Sequence, residues 1–200
     1  VDVAFRYNHT FDNIDFALSH FWGTSREPTL SLETNPDSIE IYAPHYEIIN
    51  QTGLEAQAVL GQTLIKFEAI YRSGQGKAYY ATTSGLEYTF SGFASTKMDV
   101  GILAEWLYDD RGSSATTPME NDIFVGTRLA LNDMSDTNIL VGLVQDLSDN
   151  ARYFFVEGNR RLTDRIRATI EGRIYDLPSD DRFNSTKDDD FIMLELAYYL

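Results

Sequence analysis

The chain contains no cysteine, which excludes a disulfide framework, thiol catalysis and any cysteine-ligated metal. Basic residues are scarce as well: 16 Lys plus Arg stand against 31 Asp plus Glu, a net charge of −15. A chain this acidic repels a phosphate backbone, so nucleic acid is not an expected partner. There are only 5 prolines in 200 residues, and apolar residues rarely recur at helical spacing. No apolar run approaches the ~20 residues of a membrane-spanning helix, and the mean hydropathy is −0.28. Those values argue against spanning helices. They say nothing against spanning β-strands, in which only every second residue meets lipid.

What the sequence does have is period-two alternation, interrupted by turn residues. Eleven alternating segments can be counted, at roughly 1–11, 14–24, 46–60, 63–73, 78–92, 97–109, 122–132, 138–147, 152–162, 165–176 and 190–200. In 63–72, Thr63, Ile65, Phe67, Ala69 and Tyr71 share one face, and Leu64, Lys66, Glu68, Ile70 and Arg72 share the other. In 165–175, Ile166, Ala168, Ile170, Gly172 and Ile174 oppose Arg165, Arg167, Thr169, Glu171, Arg173 and Tyr175. Side chains alternate across a strand, so each segment carries one apolar and one polar face. The repeating unit is the hairpin, and no domain boundary interrupts residues 1–200. The opening VDVAFRY reads as the middle of a strand, as expected of a processed or truncated N-terminus.

Alternation alone does not say which face points outward, since a soluble sandwich would turn the apolar face inward. Three features favour an outward apolar face. First, tight turns at Asp12-Asn13, Gly61-Gln62, 93–96, 135–137 and Thr163-Asp164 alternate with longer links at 25–45, 74–77, 110–121, 148–151 and 177–189. Second, aromatics gather beside the long links: Trp22, Tyr71, Trp106 and Tyr108 before them, and Tyr79, Tyr80, Tyr153 and Phe154 after them. Phe11, Phe93 and Tyr198 map near the opposite end, so two girdles at headgroup depth are expected. Third, Ile192, Leu194, Leu196, Tyr198 and Leu200 form an apolar row to the end of the sequence.

That last row resembles the C-terminal assembly signal of Gram-negative outer-membrane β-barrels, although the family pattern usually ends in Phe or Trp. The resemblance covers the whole chain as an architecture and singles out no subfamily. It implies an all-β, antiparallel up-and-down transmembrane β-barrel. About 11 strands would be present of 12 or more, because such barrels carry even strand numbers and Leu200 would end on the periplasmic side. It also implies a bacterial outer-membrane location, contact with outer-membrane lipids and lipopolysaccharide, and delivery by the barrel assembly machinery.

On this reading the charged faces line a lumen. Its basic members are Arg6, Lys66, Arg72, Arg128, Arg161, Arg165, Arg167 and Arg173, and its acidic members include Glu68, Glu87, Glu105, Glu157, Glu171 and Glu195. Rings of charge can screen solutes by sign, so passive passage of small solutes is the expected function. Two alternatives stand beside it: a structural or surface-interaction barrel with a filled lumen, and a hydrolase at the outer rim. A hydrolase would need His45 beside Asp109 and Asp110, or a histidine beside Ser19 or Ser25; His9 and His20 could face each other across the first hairpin. The acidic run Asp188 to Asp190, with Asp180 and Asp181, has oxygen ligands for calcium but lacks the spacing of an EF-hand. Gly74-Gln75-Gly76-Lys77 lacks the strand-to-helix setting of a phosphate loop. No cofactor or metal is expected.

Overall fold

A computed structural model of the chain describes residues 1–34, 39–179, 181 and 183–200. It is an all-β antiparallel structure with 13 strands and three single-turn 3₁₀ segments. Eleven strands form one meander: β1 (Val3–Phe11), β2 (Ile14–Thr24), β5 (Ile48–Leu60), β6 (Thr63–Ser73), β7 (Tyr79–Phe90), β8 (Asp99–Asp109), β9 (Asn121–Ala130), β10 (Asn138–Asp146), β11 (Arg152–Thr163), β12 (Ile166–Asp176) and β13 (Phe191–Tyr198). They correspond to the eleven alternating segments. The remaining two, β3 (Thr29–Thr34) and β4 (Glu40–His45), form a separate hairpin inside the link expected to be a plain loop. Both are only 6 residues long, too short for period two to stand out.

The sheet is open. β1 pairs with β2 alone and β13 with β12 alone, so each has one backbone edge without a partner strand, and closure into a barrel is not formed among the described residues. Register follows from the turns. In the two-residue turn after β1, Asp12 takes a left-handed backbone (φ 50°), and Gly61 does the same after β5 (φ 63°). This is a region that glycine and aspartate tolerate better than branched residues. Asn13 then ties that first turn to β5, its Nδ2 donating to the Val59 carbonyl at 2.8 Å.

The turns at this end span 12–13, 61–62, 91–98, 131–137 and 164–165; the links at the other end span 25–47, 74–78, 110–120, 147–151 and 177–190. The expected asymmetry is therefore present only in part: 91–98 and 131–137 are longer than expected and exceed the five-residue links 74–78 and 147–151. In 131–137, Asp133 accepts from the Thr137 backbone N–H and hydroxyl, both at 2.9 Å, which folds those residues out of the ladder. Arg165 falls in the 164–165 turn rather than on β12, and its Nη1 donates to the Tyr198 hydroxyl at 3.3 Å.

The apolar face is uncovered among the described residues. Leu18, Leu54, Leu86, Val125, Val141 and Ile170, near mid-strand, are each between 40% and 49% exposed. No strand or helix among the described residues packs over them, since substantial contacts run only between hydrogen-bonded neighbours. A sandwich would have covered this row. The aromatics cap it at both ends: Tyr80 lies 5.8 Å from Tyr108 and Trp106 5.4 Å from Tyr108 at the long-link end. Phe11 stacks on Phe16 at 5.7 Å, and Tyr88 meets Phe90 at 4.6 Å, at the short-turn end. Trp22, Tyr71, Trp106, Tyr108 and Tyr198 all share the apolar face by register. Tyr153 does not. It pairs with Val144 on β10 and Tyr175 on β12, which puts it on the polar face, because Phe154 takes the outward position.

Candidate functional site

On the polar face, charged side chains from several strands converge. Arg6 on β1 reaches over β2 to Glu55 on β5, with Nη2 to Oε2 at 2.6 Å and Nη1 to Oε1 at 2.9 Å. It can do so because β2 presents small residues beneath it, Ala17 and Ser19. The same device recurs between β7 and β9. Arg128 Nη1 meets Glu87 Oε1 at 3.1 Å across β8, and the intervening residue is Gly101. A Cβ on Gly101 would sit 3.2 Å from that Glu87 oxygen, crowding the bridge. Glu157 and Glu171 are cross-strand partners, an arrangement that repels. Arg173 resolves it by donating to Glu157 at 2.8 Å and lying 3.1 Å from Glu171.

Other expected lining residues are placed on this face without joining those pairs. Arg72 donates to Gln51 at 2.7 Å and lies 3.6 Å from Glu27. Lys66, Glu68, Glu105 and Glu195 share the face by register, at positions paired with Gly85, Thr83, Gly85 and Thr169. Arg167 bonds Asp136 at 2.9 Å and Arg161 bonds the Met134 carbonyl, so both serve the 131–137 turn. Over β1, β2, β5 and β6 the polar face forms an open concavity of about 530 Å³ whose lining includes Arg6, Asp15, Glu55, Gln57, Lys66 and Glu68.

The long-link half of β8 to β11 is different, and alternation did not reveal it. Here most positions on this face, Glu105 apart, are apolar: Leu103, Phe124 and Val144 are buried, with Leu107, Leu140, Tyr153 and Phe155 against them. Phe124 and Phe155, two strands apart, stack at 5.6 Å. Strands that far apart lie ~9.6 Å from each other, so the rings lean together, over Gly142. Above this cluster, at the ends of β9 and β10, lies a buried acidic group. Glu120, Asp122 and Asp146 are 5%, 0% and 3% exposed, with one oxygen from each within 4.8 Å of the others. Asp122 and Asp146 are direct cross-strand partners.

The adjoining links are ordered by the same carboxylates. Asp146 Oδ1 accepts from the backbone N–H of Ser148 at 2.5 Å and of Asp149 at 3.0 Å. Burial, and then the neighbouring Asp146 charge, push the Asp149 carboxyl above its ordinary value. Asp109, 3% exposed, binds Arg111 through a 2.7 Å contact that raises the guanidinium above its usual value. Arg111 also lies 3.7 Å over the Tyr79 ring.

The hydrolase arrangements are not assembled among the described residues. His45 Nε2 lies 2.7 Å from Glu33, His20 bonds Thr52 at 3.0 Å, and His9 packs edge-on against Phe11 at 4.3 Å. His9 and His20 do not face each other, being paired with Phe16 and Phe5. Ser25 bonds Glu27 and Gln75, Ser19 the Gly53 carbonyl, and Asp110 the Tyr80 N–H. Of the acidic run, Asp190 accepts from the Tyr175 N–H at 2.8 Å, and Asp180 lies outside the described residues. No family model, curated protein or solved structure matches the chain.

Proposed function

We propose that the eleven-stranded sheet crosses the bacterial outer membrane with its apolar face in lipid and its polar face lining a path for small polar solutes. The observation that carries this reading is the exposed mid-strand row from Leu18 to Ile170, bounded at each end by aromatics. A face that apolar is stable in hydrocarbon and costly in water. Backbone groups left unpaired in lipid cost several kcal/mol each, so in a bilayer the edges of β1 and β13 pair with each other or with further strands. Solute passage is supported by the polar concavity over β1, β2, β5 and β6, in which Lys66 and Glu68 stand outside the Arg6–Glu55 pair. Lipid and lipopolysaccharide are the partners of the outer face. The row Ile192, Leu194, Leu196, Tyr198 and Leu200, between 58% and 110% exposed, suits recognition by the barrel assembly machinery.

One observation favours a second reading, a narrowed or filled lumen: the apolar cluster around Phe124 occupies the polar face of β8 to β11. Planar-bilayer recording separates the two. Solute passage predicts stepwise current from the folded protein. It also predicts a shift of ion selectivity toward cations in Lys66→Glu, since Lys66 forms no ion pair among the described residues. Absence of current favours the filled lumen. A chain that is monodisperse without detergent refutes the membrane reading itself.

A further inference from the structure

The buried carboxylates at the ends of β9 and β10 are an unusual burden for a fold to carry. Asp122 and Asp146 face each other directly across the ladder, and Glu120 closes the group from the link before β9. Like charges placed opposite one another destabilise a sheet, and burying them without compensation costs more. No described residue forms an ion pair with Asp122 or Asp146. Asp122 shows the deficit at a single atom. Its Oδ2 accepts from the Asn121 N–H at 3.1 Å, while its Oδ1, on a side chain with no solvent exposure, has no hydrogen-bond partner.

We propose that Glu120, Asp122 and Asp146 bind a divalent cation of calcium size. Calcium takes carboxylate oxygens at 2.3–2.6 Å, so two oxygens on opposite sides of one ion lie up to ~5 Å apart. The 4.8 Å spread of the three carboxylates fits that span. Magnesium binds at 2.0–2.1 Å and keeps most of its water, which suits a closed all-protein group less well. The ion supplies positive charge beside Asp122 and Asp146 and gives the Asp122 Oδ1 atom its partner. It also ties together the links 110–120 and 147–151, because Asp109 N donates to the Glu120 carbonyl and Leu147 N to the Asn121 carbonyl. The site does not depend on the membrane reading.

Terbium, which occupies calcium sites and is excited through nearby tyrosine, reads the site directly. Tyr153 pairs with Val144, two residues from Asp146 on the same face. The purified chain, in whichever medium keeps it monodisperse, should give saturable terbium emission that calcium displaces. Weak surface binding, expected at a net charge of −15, gives only a non-saturating background. Asp122→Asn should weaken calcium binding at least tenfold while leaving the metal-free melting temperature equal or higher, because it removes a buried charge. Glu120→Gln is the second variant should the first not fold. Tyr153→Phe should lose the emission but keep a calcium-dependent rise in Tm, about 5–10 °C at a hundredfold excess over Kd. A chain without saturable emission or Tm rise overturns the proposal, as does unchanged calcium binding in Asp122→Asn. So does stabilisation by mild acid but not by calcium, the mark of a shared proton.

Discussion

Replacing Leu54 with arginine separates a lipid-facing strand from a water-facing one. Leu54 is the seventh residue of the 13-residue strand β5, 40% exposed, with Leu18 and Ala69 as its cross-strand neighbours. Six residues on either side at ~3.4 Å each place it ~20 Å from both strand ends. With a strand tilt of ~40°, that is ~15 Å along the normal, the midplane of a ~30 Å hydrocarbon core. Arginine there costs about 2–4 kcal/mol, whereas at an exposed position in water the change stays within about 0.5 kcal/mol. Denaturant unfolding in lipid vesicles should show a midpoint lowered by about 1 M urea at unchanged slope. Gln57→Arg, three residues along on the polar face and beside Asp15, is the control and should shift it little. Equal costs for the two variants would refute the assignment of the faces.

Two further outcomes follow from local packing and charge. Gly142→Val should destabilise the fold by about 1–3 kcal/mol through overpacking, since a Cβ there collides with the rings of Phe124 and Phe155; chemical denaturation measures this, and a neutral result removes that cluster from the core. In the 131–137 turn, the Thr137 N–H, aided by the Thr137 hydroxyl and Arg160, holds the Asp133 carboxyl below its ordinary value. A lowered folded-state value stabilises above the unfolded carboxylate range and is lost as pH falls through the folded value. The protection factor of the Thr137 amide, its exchange measured against the intrinsic rate at each pH, should therefore fall in acid in the native chain, and Asp133→Asn should lower it at neutral pH as well.

Much of the architecture was legible because period two is a local property. Thr63 to Arg72 and Ile166 to Tyr175 sort their side chains by parity alone, and the register keeps nearly every expected lining residue on one face. Errors fell where parity gives way to turn chemistry or rim detail. Arg165 reads as a strand residue until the 164–165 turn takes it out of the ladder. Tyr153 and Phe154 are adjacent in sequence and so necessarily face opposite ways, and alternation does not say which faces lipid at the rim.

The acidic site needed more than pattern. Asp122 and Asp146 lie symmetrically about Met134, so a hairpin centred there brings them opposite each other. The sequence shows alternation on both sides, but the turn centre is set by Asp133 bonding to Thr137, a side-chain contact within the turn that alternation does not encode. By itself the sequence determined the eleven strands of the meander, their two faces and the absence of spanning helices, because each depends on neighbouring residues. Tertiary structure alone decided which carboxylates are stripped of water and which arginines bridge two strands away. Burial and cross-strand charge depend on residues far apart in the chain, which no local period encodes.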